Sequence, residues 1–151
     1  MTILIDDRQN RFKLSTQQIR KTAQTLLNAL GSPEGELSVL LTDDADIADL
    51  NKQYLDREGA TNVIAFPMAE GEFAEISPDL LGDVVISMDT AAREAEMGET
   101  TIENRFKELL IHGILHLFGY DHETNEADAQ QMENKSEELL EAVRSVELSI
   151  R

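Results

Sequence analysis

The 151-residue chain has no cysteine and no tryptophan, its aromatic content is 5%, and it holds three prolines and three histidines. Without cysteine there are no disulfides, no thiolate metal centres and no cysteine nucleophiles, so any metal must be held by His, Asp or Glu. A reducing compartment is compatible with this. No stretch approaches the roughly 20 apolar residues of a membrane span. The opening residues, Met1-Thr-Ile-Leu-Ile-Asp6-Asp7, lack a basic start, and two acids cut their apolar run short, so no secretory leader is expected. The expectation is a cytoplasmic protein with no membrane attachment. With so few aromatics, the core must come mainly from Leu, Ile, Val, Ala and Met. The length suits one domain, residues 1–151, with a sizeable core.

Positive charge is also scarce: 13 basic against 30 acidic residues give a net charge of −17. That argues against a general nucleic-acid binder, whose footprint is basic. The imbalance is uneven, because residues 1–34 carry Arg8, Arg11, Lys13, Arg20 and Lys21 against three acids. A local basic face from this third and ordinary solvated charges are both open readings.

Hydrophobic periodicity outlines the elements. Thr2–Ile5 and Leu37–Thr42 read as strands, and Asn62–Phe66 and Val84–Met88 as buried, β-branched ones. Ser15–Leu30 has Ile19, Ala23, Leu26, Leu27 and Leu30 at helical spacing before Gly31. A short helix capped by Asp43, Asp44 or Asp46 runs to Tyr54, and Asp56–Ala60 reads as a loop. Pro67–Leu81 is acidic and carries Gly71 and Pro78, which suggests a long loop or hairpin insertion. Thr90–Met97 is a helix closed by Gly98. Thr100-Thr-Ile-Glu103 has the form of a capping box opening a helix that runs to Phe118. Thr124 or Asn125 caps a last helix ending near Val143. The fold class is α+β: a single domain with a small mixed sheet of about four strands and about five helices.

All three histidines fall within residues 112–122, as His112-Gly-Ile-Leu-His116-Leu-Phe-Gly119-Tyr-Asp-His122. His112 and His116 are four apart, so on a helix both rings leave one face. Gly119 can end that helix in a left-handed cap, letting His122 swing back. Three imidazoles with a fourth position open to water or substrate are how a catalytic zinc is held. One zinc ion on His112, His116 and His122 is therefore expected, with no organic cofactor. The spacing matches the metzincin pattern H-E-x-x-H-x-x-G-x-x-H except that the general-base Glu is replaced by Gly113. Asp121 and Glu123 flank His122. Either could orient a ligand ring or act as a general base, or simply supply turn chemistry and helix N-terminal charge. Asp121 is the catalytic candidate, best suited to orienting a ring, and Glu123 fits helix N-terminal charge.

The histidine block, read with Thr61–Pro67 (T-N-V-I-A-F-P) and Leu81–Ser87 (L-G-D-V-V-I-S), resembles the YbeY family of bacterial rRNA maturation endoribonucleases. The three blocks occur in the family's order. The resemblance implies a small α+β domain built around a zincin-like metal helix, with His112, His116 and His122 as zinc ligands. It implies cleavage of single-stranded rRNA, a part in 16S rRNA 3′-end maturation and ribosome quality control, and a ribosome or ribosomal protein as partner. Many members have arginine directly after the tyrosine of the preceding segment. Here Leu55 follows Tyr54, and Arg57 comes two residues later. Arg57 is thus either the catalytic cation that stabilises phosphoryl charge or an ordinary exposed loop residue. Two other classes stand beside this one: a zincin-type peptidase, disfavoured by Gly113, and a non-catalytic ribosome-associated factor with Asp121 or Glu123 closing a structural zinc site. For Asn62 and Ser87 the simplest role is hydrogen bonding to backbone, for Asp83 a turn, and for Phe118 the core; Phe66 and Tyr120 are either core or base-stacking.

Overall fold

In the computed structural model, which describes residues 3–68, 79–121 and 125–151, a four-stranded sheet carries helices on both faces. In chain order the elements are β1 Ile3–Asp7, α1 Thr16–Ala29, β2 Glu36–Thr42, α2 Asp44–Leu55, β3 Val63–Pro67, β4 Leu80–Ser87, α3 Met88–Met97, α4 Ile102–Leu117 and α5 Glu126–Ala142. The strands lie in the order β1-β2-β4-β3. β1 and β2 are parallel, β2 and β4 are parallel, and β3 runs antiparallel to β4 along one edge.

Strand alternation sorts the side chains between two unequal cores. Leu37, Val39 and Leu41 of β2 and Val84 and Ile86 of β4 enter the larger one, where Ile19, Ala23, Leu26 and Leu27 of α1 meet Phe106, Leu110 and Ile114 of α4. On the opposite face Ile47 of α2 seals a small cluster with Ile64 and Val85. α4 is apolar nearly all round, as a buried helix should be: Phe106, Leu109, Leu110, Ile111, Ile114, Leu115 and Leu117 are buried, while His112 and His116 are half-buried.

Several local expectations need correction. The cap of α4 is Thr101, whose hydroxyl accepts the Asn104 N–H; Glu103 lies in the first turn, so Thr100 and Glu103 do not form the box. α3 starts at Met88 because Ser87 caps it, which shortens the strand expected to reach Met88. At its other end Gly98 is the C-cap, but the left-handed residue is Glu99, with φ 55°. β4 begins at Leu80, and Asp83 is an exposed strand residue paired with Phe66, not a turn. Gly82 has φ +136°, and a Cβ there would collide with the Phe66 carbonyl oxygen. Asn125 caps α5; Thr124, Glu123, His122, Thr2 and residues 69–78 of the expected loop lie outside the described residues.

The chain after α5 is the largest omission of the sequence reading. Val146, Leu148 and Ile150 are buried, and Lys13 and Arg151 exchange two backbone hydrogen bonds of 2.7 and 2.9 Å. The signal was there: every second residue from 146 to 150 is apolar, the period of a strand.

Candidate metal centre and its cleft

The last two turns of α4 present the histidines. His112 and His116 face each other with Nε2 atoms 3.0 Å apart and ring planes at 76°. Two nitrogens on one tetrahedral zinc, with bonds of about 2.0–2.1 Å, stand about 3.3 Å apart, so the pair fits such an ion. The C-terminal end of a helix also carries partial negative charge, which favours a cation beside it. α4 then ends in a Schellman turn: Gly119 has φ +89°, its N–H donates to His116 O at 3.1 Å, and Tyr120 N–H donates to Leu115 O at 3.0 Å. The expected left-handed cap is therefore present, and the chain turns back as Asp121 is reached. His122 lies outside the described residues, as does Glu123.

Gly113 lines the same cleft, but its Cβ direction runs into the sheet. A Cβ there would stand 2.6 Å from Val84 Cγ1 and 3.1 Å from Val63 Cγ2. Valine is branched at Cβ and stiff, so neither methyl can retreat cheaply. The glycine lets α4 lie close on β3 and β4, and the space for a metzincin-type glutamate is already filled by the sheet.

A cleft of about 800 Å³ opens over the histidines. It is lined by His112, His116, Tyr120 and Asp121 on one side and by Arg57, Thr61 and Asn62 on the other. The structure thus brings together four of the five site residues expected from sequence. Arg57 is exposed, and among the described residues no carboxylate pairs with it. Arg8, Arg11, Arg93, Arg105 and Arg144 all form ion pairs. Arg20 donates to the Ile3 carbonyl. Much of the basic charge of the N-terminal third is therefore bound to neighbouring groups and does not form a continuous free face.

Two sets of residues that sequence reasoning missed place the Arg57 wall. Asn51, 6% exposed, accepts the Arg57 N–H on its carbonyl (3.2 Å) and donates from its side chain to Gly59 O (3.0 Å). Asp56, at φ 53°, turns the chain out of α2 just before Arg57. At the far end of the loop, Asn62 donates to both oxygens of Glu94 (3.2 and 3.3 Å), and Arg105 grips the same carboxylate through Nε and an Nη at 3.1 and 3.0 Å. Burial would lower the Arg105 pKa, but hydrogen bonds to Glu94 and Glu108 outweigh it and hold it above its usual range. Asn62 therefore uses its side chain across elements, not toward backbone, although its carbonyl does accept the Ser87 N–H.

Ser87 likewise does more than cap α3: its hydroxyl donates to Asp44 at 2.7 Å, beside Thr90 at 2.6 Å and Arg93 at 2.7 Å. Burial would raise the Asp44 carboxyl, but these three hydrogen bonds hold it below the ordinary range. Phe118 and Tyr120 pack against the main core, while Phe66 faces α2 and meets Tyr54 edge-on at 5.7 Å. Of the aromatics considered for stacking, Tyr120 lines the histidine cleft and Phe66 does not.

The family model for Endoribonuclease YbeY matches residues 4–144. The chain belongs to the YbeY family of endoribonucleases. Relatives named Endoribonuclease YbeY from Geobacter metallireducens and Geobacter sulfurreducens are 51% and 49% identical over 140 residues, which is 92% of this chain and 93% of each relative. A relative of the same name from Aquifex aeolicus is 48% identical over 111 residues, 74% of this chain and 72% of its own. A solution structure from Thermotoga maritima shares the fold, with a TM-score of 0.66 at 24% identity over 93% of this chain and 88% of that one. Among the described residues no helix is long and apolar enough to cross a membrane.

Proposed function

We propose that this chain is a zinc-dependent endoribonuclease that cuts single-stranded RNA, acting in 16S rRNA 3′-end maturation and ribosome quality control. The observation that carries the reading is the convergence of His112 and His116 Nε2 in the cleft that Arg57 also lines, in a member of this family. His112, His116 and His122 would hold the ion. Bound there, zinc supplies a Lewis acid that polarises a phosphoryl oxygen and activates water near neutral pH.

The chain's own groups do the rest. The Arg57 guanidinium offers planar donors to the non-bridging oxygens of a phosphodiester and balances the charge that grows on them. Asp121, at the cleft rim, orients a ligand imidazole and keeps its metal-facing nitrogen unprotonated. Tyr120 gives the cleft one aromatic surface for a base. The net charge of −17 weakens binding to free RNA, so a ribosomal protein or the ribosome itself delivers the substrate. The packing at Gly113 argues against the peptidase alternative, because it leaves no room for a general-base side chain.

The test is incubation of zinc-loaded protein with end-labelled single-stranded RNA, the same RNA annealed to its complement, and casein. The expected result is cleavage of the single strand alone. Casein digestion without RNA cleavage would transfer the site to the peptidase class. RNA cleavage that survives His116→Ala would contradict the metal-based mechanism.

A further inference from the structure

The antiparallel edge strand beside the histidines has a use that the metal chemistry leaves open. Ser87 N–H donates to Asn62 O and Met68 N–H donates to Leu81 O, each at 3.0 Å, so residues 62, 64, 66 and 68 turn their backbone groups toward β4. By the alternation of an antiparallel pair, Val63, Ala65 and Pro67 turn theirs the other way. Among the described residues β3 is the last strand of the sheet, so that other way is the open edge. Val63, Ala65 and Pro67 all line the cleft that holds His112, His116 and Arg57. Val63 and Ala65 each offer an N–H and a carbonyl there, while Pro67 offers a carbonyl only and so ends the row of donors.

We infer that the open edge of β3 is the binding rail for single-stranded RNA, with the Val63 and Ala65 N–H groups donating to successive phosphates or base acceptors. The inference rests on the endoribonuclease reading for the identity of its ligand. Two residues of an antiparallel strand advance about 6.8 Å, comparable with the step between phosphates of an extended single strand. The donors therefore repeat at the spacing of the ligand.

Charge points the same way. Beyond His112 on the other side, the groove between α4 and α5 carries Glu108, Glu133 and Glu137 against one cation, Arg105, which Glu94 and Glu108 already pair, so it disfavours a phosphate chain. The β3 side carries Arg57 beside Asp121 and a Glu58 that Lys52 pairs at 3.5 Å, so it is the less acidic of the two. The base acceptors of a duplex are already engaged in pairing, so the rail favours unpaired RNA. Because the contacts come from backbone, they impose little sequence preference.

Amide hydrogen exchange on metal-free wild-type protein reads the edge without cleavage, using an oligouridylate of about ten residues, within the usual site size for single strands. The Val63 and Ala65 amides should exchange quickly in the free protein and slow at least tenfold on adding the RNA, while Ile64 and Phe66 stay slow throughout. A second arm uses Ala65→Pro, which removes one outward donor at a position where an edge strand tolerates proline. Its KM for the same RNA should rise roughly tenfold, as for one lost charge-assisted bond, with kcat and zinc content kept.

RNA-bound protein whose Val63 and Ala65 amides remain unprotected would overturn the inference. So would protection of those amides by a short peptide of alternating threonine and valine but not by the RNA. A wild type that protects both amides yet does not cut RNA would instead overturn the functional reading and leave the rail supported.

Discussion

The two walls of the cleft are built on opposite plans. The α4 wall is a helix buried nearly all round, with its histidines set by one period and its close approach to the sheet set by Gly113. The Arg57 wall is an exposed loop with no core of its own, held by Asn51 at one end and by the Asn62–Glu94–Arg105 bonds at the other. Metal ligands need fixed separations, which packing supplies. A group that meets a mobile phosphate chain can stand on a tethered loop. The difference predicts that damage to the first wall costs the fold or the metal, and damage to the second costs rate.

The largest effect is expected at Gly113. Gly113→Glu would force a charged side chain into Val84 and Val63 and should cost more than about 3 kcal/mol, enough to lose soluble folded protein. Gly113→Ala should cost about 1–3 kcal/mol, seen as a lower midpoint in urea with unchanged slope. A stable Gly113→Glu variant would break the contrast between the walls. Arg57→Ala comes next: kcat should fall about 100-fold, the scale of removing one donor from developing charge, while zinc content and melting temperature stay at wild-type values. Arg57→Lys should recover only part of that loss, because it keeps the charge and loses the planar fork.

Asn51→Ala removes the bond to Gly59 O and should cost about 1 kcal/mol of stability. It should also lower kcat several-fold without loss of zinc, which a purely structural role for Asn51 would not produce. The smallest effect is expected at Asp44, which ties the start of α2 to α3. A carboxyl whose folded pKa lies below its unfolded value of about 3.9 contributes stability that is present above that pKa and lost as pH falls through the folded one. The gap between wild type and Asp44→Asn, about 1 kcal/mol for a partly exposed carboxylate paired with Arg93, should therefore be full at pH 7 and close below about pH 4. A gap unchanged between those limits would remove Asp44 from the tether.

The same contrast explains what could be read from sequence. The histidine helix, its glycine stop and the mixed α+β class follow from spacing, because helix period and left-handed caps are local. Strand order is not local, so nothing in Val63–Pro67 alone reveals that β3 is an antiparallel edge. Asn51, Glu94 and Arg105 act through partners 8, 32 and 11 residues away, and no spacing rule links them. Thr101 displaced the expected Thr100 cap because two adjacent threonines compete for one position. Gly113 was legible as a missing base, but its packing role depends on Val84, across the sheet.

Removal and return of the metal probes the cleft most directly. Protein stripped with a chelator should lose cleavage of labelled single-stranded RNA and regain it on adding one equivalent of zinc, while His116→Ala, folded by circular dichroism, should neither retain zinc nor cut. Stripped protein or His116→Ala that cuts at the wild-type rate would contradict a histidine-held zinc as the centre of the reaction.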